Sequence, residues 1–546
     1  MAPLPSPPRT QQVSNNSVLR SLGKHVYNPA PIKLWLQRFR RNQPAQLIVV
    51  LSLLHLIPIW GFKFIPTQDG ISHVYNAYIL KEWKNPEFTK FHEVYDLNLT
   101  FFPNWIDYAI LFVTLHVFPP LIAEKIFATI CVLLYPFSFY YLLNAIDRQL
   151  RFFALLGFLY SYNHLFHLGF YNFAISVPFC LISIGYWWKH KEDFQIEQAT
   201  VLNLLLIVTY FSHFSSYTLL MFALTFLAGV AFLRHLFQWR EHLKRLLQFI
   251  GYLAPAYFIL LNIFLSNPEQ RQVGYRPFAY LWDYFINVKS LVYFNDSYLV
   301  ISWILLGIMS FCLGWTLIVH IGEKRFFEVR DGFLLLAIIL TVLYFRLPWS
   351  YGPPSAINER VHLYIFPILL GWFVMPKYVW LKRGLIGVML LISVWHLGLT
   401  VLDYSLLDKE MREFTSGSHL IEPNSTVSIL RPGMDWVGQT YQGPVRYVMP
   451  FLQMAAYYCL GNGSLYDSNY EPKYSYFPLQ YKGKHWMFKY EGGPIDYWIV
   501  WRAARASEDA KLLVRDYEVI HKTANLKLFR LRSKSITSDI EGEKLE

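Results

Sequence analysis

The feature of this sequence that most constrains its fold is a series of apolar segments that recurs between residues 46 and 402. A transmembrane helix needs roughly 20 apolar residues to cross a hydrocarbon layer about 30 Å thick. Only 16% of the 546 residues are charged and 54% are hydrophobic, whereas soluble domains carry about 25% charged residues. The sequence therefore predicts an all-α polytopic membrane protein. We predict about 11 transmembrane helices, at 46–65, 121–145, 153–168, 171–189, 199–213, 216–235, 246–267, 297–321, 332–347, 361–376 and 382–402.

The orientation of these helices depends on the short apolar run 106–118, which Pro119 and Pro120 end. If this run does not cross the membrane and the N-terminus is cytoplasmic, every loop assigned to the inside is basic, among them "KLWLQRFRR" and "RHLFQWREHLKR". Cytoplasmic loops of membrane proteins carry an excess of Lys and Arg. We therefore predict that the run lies on the outer leaflet or dips into it.

Three regions follow from this topology. Residues 1–45 are a basic cytoplasmic segment, and residues 46–402 form the transmembrane domain, with a long outer first loop at 66–120. Residues 403–546 form a small extracytoplasmic α/β domain. In it, "EPNSTVSIL" and "PIDYWIVW" are typical of strands, "SEDAKLLVRDY" of a helix, and "YEVIHKTANLKLFRLR" of a hairpin.

The net charge of +12 does not indicate a nucleic-acid partner, because Lys and Arg are spread between apolar runs. We expect membrane lipids around the spans and no nucleic acid. The C-terminal residues carry no endoplasmic-reticulum retention signal, which favours the inner membrane of a bacterial cell. The expected protein is a multi-pass integral membrane protein with a cytoplasmic N-terminus and an extracytoplasmic C-terminal domain.

The first outer loop begins with the segment "FIPTQDGISHVYNAYIL", residues 64–80. Asp69 and His73 are four residues apart, so a helix would place both on one face, with Asn76 nearby. A carboxylate at the lipid–water boundary is costly and tends to be functional. The alternative interpretation is structural: Asp69 caps a helix that starts at Gly70, and His73 is solvated.

The order of these elements resembles the GT-C superfamily, the membrane glycosyltransferases that use polyprenyl-phosphate-linked sugars. Protein O-mannosyltransferases and aminoarabinose transferases are examples. The resemblance covers about 400 residues: an acid directly after the first span, surface helices in a long outer loop, and many later spans. It implies that Asp69 is the catalytic base. Many members carry paired acids in this loop, whereas here Gly70 follows Asp69.

Transfer of a sugar from a lipid phosphate needs a base, a positive group for the departing phosphate, and exclusion of water. One carboxylate serves an inverting single displacement, whereas glycosidases use two. Asp69 fits the role of base, with His73 as its orienting partner. The implied donor is a polyprenyl-phosphate sugar, and the acceptor is a glycan, a lipid or a protein.

Arg360 is the candidate for binding the donor phosphate, because it is the only Lys or Arg in the outer loop 348–360. The planar guanidinium suits phosphate oxygens, and Arg360 resembles the cation that GT-C enzymes place in a late outer loop. Arg271 and Arg276, in the loop 268–296, are rival candidates. Alternatively, Arg360 extends to the membrane interface or pairs with Glu359.

Polar side chains at other outer turns are candidates for binding substrate hydroxyls. They are Asn76, Asn163, His167, Asn172 and His213. As an alternative, the histidines of these turns and Asp69 could hold a divalent metal, but we expect no cofactor and no metal. Three further acids are candidates for a second carboxylate: Asp96, Asp107 and Asp296.

The favoured function is thus an integral-membrane glycosyltransferase acting at the outer membrane face. The main alternative is a multi-spanning transporter or flippase of a lipid-linked or polar solute. Transporters place ionisable residues at the middle of the membrane, often in two related halves. Here the acid lies at the interface and the halves show no repeat. A non-catalytic assembly factor is the third possibility.

Overall fold

The structure is a computed structural model that describes residues 42–265, 272–325, 327–352, 355–430, 445–482, 495–502 and 515–532. The chain divides into an N-terminal unit ending at Val50 and a second unit, Leu51–Glu546. In the first unit the described residues begin a helix. All interactions given below lie within the second unit.

Helices dominate the described part of the chain. Those of the first half are α1 Gln43–His55, α2 Ile57–Gly61, α3 Gly70–Glu82, α4 Thr89–Val94, α5 Ile106–Leu115, α6 Pro120–Ile146, α7 Gly157–Ser161, α8 His164–His167, α9 Tyr171–His190, α10 Ile196–Ser212, α11 Phe214–Arg234, α12 Trp239–Tyr252 and α13 Ala254–Leu265. Those of the second half are α14 Phe278–Ile286, α15 Leu299–Gly322, α16 Asp331–Arg346, α17 Ile357–Leu370 and α18 Val379–Phe414.

Five helical segments among the described residues are long and apolar enough to cross a membrane. They are Gln43–Gly61, Pro120–Ile146, Phe214–Arg234, Asp296–Gly322 and Val379–Leu420. The prediction of a helical, multi-pass membrane protein is therefore confirmed at this level. Helix α5 has 10 residues and is about 15 Å long, which is too short to cross a bilayer.

Besides the span 46–65, which α1 and α2 share, two predicted spans are not continuous helices. The run 153–168 folds as a 3₁₀ segment, Leu150–Leu156, followed by α7 and α8. The break comes at Asn163, whose side-chain oxygen accepts a hydrogen bond from the Phe166 N–H and so starts a new helix. The run 246–267 is divided between α12 and α13, and Pro255 stands in the first turn of α13, where its missing N–H costs nothing.

The C-terminal region contains a mixed five-stranded sheet in the order β5-β4-β7-β9-β8. Its strands are β4 Thr426–Leu430, β5 Leu465–Tyr466, β7 Tyr497–Trp501, β8 Tyr517–Lys522 and β9 Leu526–Leu531. Strand β4 pairs in parallel with β5 and β7, while β9 is antiparallel to β7 and β8. The predicted strand segments "EPNSTVSIL" and "PIDYWIVW" contain β4 and β7, and the predicted closing hairpin is confirmed. Most of the predicted helix "SEDAKLLVRDY" lies outside the described residues.

The outer first loop is joined to the C-terminal region by backbone pairing. Strand β1, Tyr95–Leu97, is antiparallel to β6, Leu479–Tyr481, with Tyr95 opposite Tyr481. A second short pair, β2 Val273–Gly274 with β3 Ser350–Tyr351, joins two later loops. One hydrophobic cluster contains Tyr75 of α3, Phe414 of α18 and Ile499 of β7. This shared core holds α3, and therefore Asp69, against the C-terminal region.

Candidate functional site

Asp69 is fixed by a close approach between two stretches of backbone. The Gln68 N–H donates to the His167 carbonyl at 2.8 Å, and the Asp69 N–H donates to the Leu168 carbonyl at 3.2 Å. Gly169 has a φ of +80°, and a Cβ on it would overlap the backbone of Asp69 and Gly70. Glycine is therefore required at 169, both for its φ and for the close contact.

The Asp69 side chain does not cap helix α3. It occupies the N-cap position but makes no capping hydrogen bond, and it is only 7% exposed. The amides of Gln68 and Gln453 hydrogen bond to the carboxylate instead. Burial raises the pKa of Asp69 to about 7, with His73 acting to lower it and Glu471 to raise it. Such a pKa suits a general base near neutral pH.

His73 lies inside a cluster of buried carboxylates. Its Nδ1 is 2.8 Å from Asp107 Oδ2 and 3.7 Å from Glu471 Oε1, and its ring stacks on that of Tyr171 at 5.6 Å. Burial alone would lower the pKa of His73, but the charges of Glu471 and Asp107 raise it to about 9. With this pKa the side chain is an imidazolium at neutral pH, and it is buried rather than solvated.

Glu471 belongs to the C-terminal region and completes this cluster. The Asn76 amide donates to Glu471 Oε2 at 2.6 Å, and the Tyr108 hydroxyl donates to the same oxygen. Burial raises the pKa of Glu471, and the charge of His73 opposes that rise. We call Asp69, His73, Asp107 and Glu471 the carboxylate end of the site. Asp107 was one of three predicted second acids, whereas Glu471 was missed.

A fourth buried acid lies beside the carboxylate end. The Tyr171 hydroxyl donates to Glu124 Oε1 at 2.8 Å, and Thr67 Oγ1 is 3.2 Å from the same hydroxyl. A Cβ on Gly70 would overlap Thr67 Oγ1 and the Tyr171 hydroxyl. The residue after Asp69 therefore has no room for a side chain, and any second acid must come from elsewhere in the fold.

Arg360 stands in the first turn of α17 against two aromatic rings. Its guanidinium carbon lies 5.0 Å from the centre of the Phe170 ring and 5.5 Å from that of Phe173. Its Nε is buried without a hydrogen-bond partner. Among the described residues it forms no ion pair, because Glu359 Oε1 accepts instead from Tyr280 and Trp349. We call Arg360, Phe170 and Phe173 the guanidinium end.

Two segments connect the two ends. Leu168, whose carbonyl binds the Asp69 N–H, is two residues from Phe170, which lies under Arg360. In the C-terminal region, Tyr470 lies within electrostatic range of Asp69, and Tyr476 within that of Arg360. The structure thus brings the predicted base and the predicted phosphate ligand to one region, between the turn 168–173 and the segment 470–476.

The rival cations differ from Arg360. Arg276 is exposed, and its guanidinium lies 4.0 Å from the centre of the Trp349 ring and 5.1 Å from that of Tyr280. Arg271 lies outside the described residues. Trp349 and Tyr280 also donate to Glu359 Oε1, so Arg276 lies within electrostatic range of that carboxylate.

Most of the predicted substrate-binding residues hold the protein together. Asn163 and His167 hydrogen bond to each other through the Asn163 carbonyl, and the His167 ring stacks on Tyr293 at 3.9 Å. Asn172 accepts from the Asp107 N–H at 3.2 Å and so fixes the start of α5.

Two other predicted residues lie at the site. Asn76 bonds to Glu471 and Asn469 in the buried network. His213 accepts from the Ser215 N–H at 3.2 Å and lies near Arg360. No group of three His, Cys, Asp or Glu with metal-binding geometry occurs within the described ranges.

Sequence could not have assigned Glu471 to the site, because it is about 400 residues from His73 in the chain. The one available signal was an acid within an aromatic segment, "NYEPKYSYF". In comparisons with known proteins, no family model and no curated protein sequence matches the chain.

Proposed function

We propose that the protein is an integral-membrane glycosyltransferase of the GT-C type, which transfers a sugar from a polyprenyl-phosphate donor to a glycan, lipid or protein acceptor. The observation that carries the proposal is that a buried carboxylate, Asp69, and a half-buried guanidinium, Arg360, both lie against the turn 168–173, and that Arg360 has a buried Nε and no ion pair among the described residues. The reaction requires a base and a phosphate ligand in this relation.

In the proposed reaction, Asp69 accepts the proton of the attacking acceptor hydroxyl while the bond from the sugar C1 to the phosphate oxygen breaks. The displacement is single and inverting, and the lipid phosphate leaves with the electron pair of that bond. Arg360 balances the charge that develops on the phosphate, and Phe170 and Phe173 keep water from it. The His73 imidazolium favours the ionised form of Asp69.

The topology proposed with this function has eleven crossings. To the five long helical segments it adds α9, α10, α12 with α13, α16 and α17. The remaining crossing is the broken stretch 150–167, whose non-helical backbone is tolerated at membrane depth because the stretch is buried in protein. The N-terminus is then cytoplasmic, and the first loop and the C-terminal region lie together on the outer side, in the inner membrane of a bacterium.

Turnover of lipid-linked donors tests the proposal. Membranes containing the protein are incubated with undecaprenyl-phosphate mannose, glucose and aminoarabinose, and released undecaprenyl phosphate is measured by mass spectrometry. We expect turnover of one donor, and a fall of roughly 10²- to 10⁴-fold in Asp69→Asn. Asp96→Asn is the matched control, because Asp96 is an exposed acid of the same loop. Equal turnover in Asp69→Asn and the wild type removes Asp69 as base.

A proton-coupled transporter is the second candidate, because the pKa of Asp69 is about 7 and the group is buried near an imidazolium. Such a group can load and release a proton near neutral pH. Vesicles with the reconstituted protein distinguish the two functions. Solute-dependent acidification of the lumen without release of undecaprenyl phosphate favours the transporter.

A further inference from the structure

The segment that follows helix α11 must lie at a membrane surface. Helix α11 is one of the five described segments that are long and apolar enough to cross a bilayer. Its 21 residues measure about 31 Å, close to the hydrocarbon thickness. Its last residue, Arg234, is therefore at the boundary, and the turn 236–238 and helix α12 come directly after it.

Large apolar side chains in this segment are exposed in the described part of the chain. Phe237 is fully exposed, and Leu236, Trp239 and Leu247 are each at least half exposed. Exposed apolar clusters of this kind mark surfaces that contact an apolar environment, such as another protein or a membrane. At the end of a transmembrane helix that environment is the acyl boundary of the bilayer, and Trp is enriched at this depth.

Cations lie among these apolar residues. Between residues 234 and 245 the chain has four, Arg234, Arg240, Lys244 and Arg245, against one acid, Glu241, which gives a net charge of +3 with His neutral. Arg240 and Lys244 are four residues apart on α12 and therefore share a face. The basic first two turns of α12 therefore lie at the interface, before the apolar part of the helix that enters the membrane, and favour anionic lipids.

A cleft beside α12 provides a place for one lipid molecule. Its lining includes the aromatic side chains of Trp187, Phe232 and Phe249 and the cations Lys191 and Arg245. Three acids also line the cleft, Glu192, Asp193 and Glu241. Glu192 pairs with Lys191 at 3.1 Å and approaches Arg245 at 3.9 Å, whereas Lys244 forms no ion pair among the described residues. An aromatic lining with cations beside it suits an acyl chain joined to a phosphate.

We propose that α12, the turn before it and this cleft form a binding site for an anionic phospholipid of the bilayer. The phosphate contacts Lys244 and Arg245, and the upper part of an acyl chain contacts the aromatic lining. The site is separate from the carboxylate and guanidinium ends. The proposal therefore holds whichever reaction the protein catalyses.

Native mass spectrometry of the full-length protein in detergent tests the site, with dioctanoyl phosphatidylglycerol and dioctanoyl phosphatidylcholine as probes. The wild type should bind phosphatidylglycerol roughly tenfold more tightly than phosphatidylcholine. The triple variant Arg240→Gln, Lys244→Gln, Arg245→Gln should lose that preference. The matched control is the triple variant Arg515→Gln, Lys522→Gln, Lys527→Gln, which removes the same charge from exposed positions of the C-terminal region. It should keep the preference for phosphatidylglycerol.

Three results would overturn the proposal. They are equal binding of both lipids by the wild type, an unchanged preference in the triple variant, and displacement of phosphatidylglycerol by inorganic phosphate at equal concentration, which indicates a simple anion site. If the triple variant does not fold, the double variant Phe237→Ser, Trp239→Ser replaces it. This variant should weaken the binding of both lipids by the same factor and keep the preference for phosphatidylglycerol. Undiminished binding of the two lipids contradicts the proposal.

Discussion

The carboxylate end and the guanidinium end of the candidate site hold buried charge by different means. At the carboxylate end, Asp107 and Glu471 approach one imidazolium, and amides of Gln68 and Gln453 bond to Asp69. At the guanidinium end, Arg360 packs against the rings of Phe170 and Phe173. In the described part of the chain, no carboxylate pairs with it.

This difference indicates which end awaits a ligand. Buried charges are normally paired, because removing an unpaired ion from water is expensive. The carboxylate end is compensated from within the protein, so changes there should alter pKa values and stability. In the described part of the chain, no carboxylate forms an ion pair at the guanidinium end. A change there should therefore impair binding of a phosphate and leave the stability of the empty protein intact.

The sharpest test of this comparison is Arg360→Met. We expect turnover of the lipid-linked donor to fall roughly 10²- to 10³-fold, because a charge-stabilising donor is lost. The midpoint of thermal unfolding should not fall, because the change removes a half-buried cation that has no ion-pair partner among the described residues. Arg276→Met, at the exposed position, is the control and should change turnover little. A large fall in the unfolding midpoint of Arg360→Met would mean that Arg360 has a structural role.

Glu471→Gln tests the opposite end. Breaking a buried charge cluster costs about 3 kcal/mol in the free energy of unfolding, so the unfolding midpoint should fall. The charge of Glu471 raises the pKa of Asp69, so its removal lowers that pKa. The acidic limb of the pH–rate profile, which follows ionisation of the base, should then move to lower pH. A lower midpoint with an unmoved limb would show that Glu471 only supports the fold.

Much of the helical architecture could be predicted, because apolar length is a local property of the chain. The strands β4 and β7 and the hairpin β8–β9 were also predicted correctly. The break at Asn163 was not, because it depends on one side chain capping the next helix inside an apolar run. Periodicity does not report such a break.

For the site, the spacing of Asp69 and His73 and the isolation of Arg360 in its loop predicted three residues, and their roles stay predictions. The partners of His73 were not predictable, because Asp107 and Glu471 reach it through packing of α5 and the C-terminal region. The predicted roles of Asn163 and His167 assumed open outer turns, but their side chains are buried and bonded within the protein.

The pH dependence of stability provides a further test of the carboxylate end. The pKa of His73 is raised from 6.5 to about 9. Its contribution to the free energy of unfolding is therefore complete below pH 6.5 and is lost as the pH rises to about 9. The loss should reach about 3 kcal/mol at most. Thermal unfolding in detergent at pH 6, 7, 8 and 9 measures it. His73→Gln should flatten the slope over this range, and an unchanged slope contradicts the assignment of an imidazolium.

The smallest expected effect concerns the packing that holds Asp69 beside Tyr171. A Cβ on Gly70 would overlap Thr67 Oγ1 and the Tyr171 hydroxyl, and Tyr171 is held by its bond to Glu124. Gly70→Ala should therefore cost about 1 to 3 kcal/mol in stability and move Asp69. Gly229→Ala, in helix α11, is the control, because no atom lies within 4 Å of its Cβ and alanine favours the helix. Similar unfolding midpoints for the two variants would mean that the contact of Gly70 with Tyr171 yields easily, and that packing at Gly70 does not fix the position of Asp69.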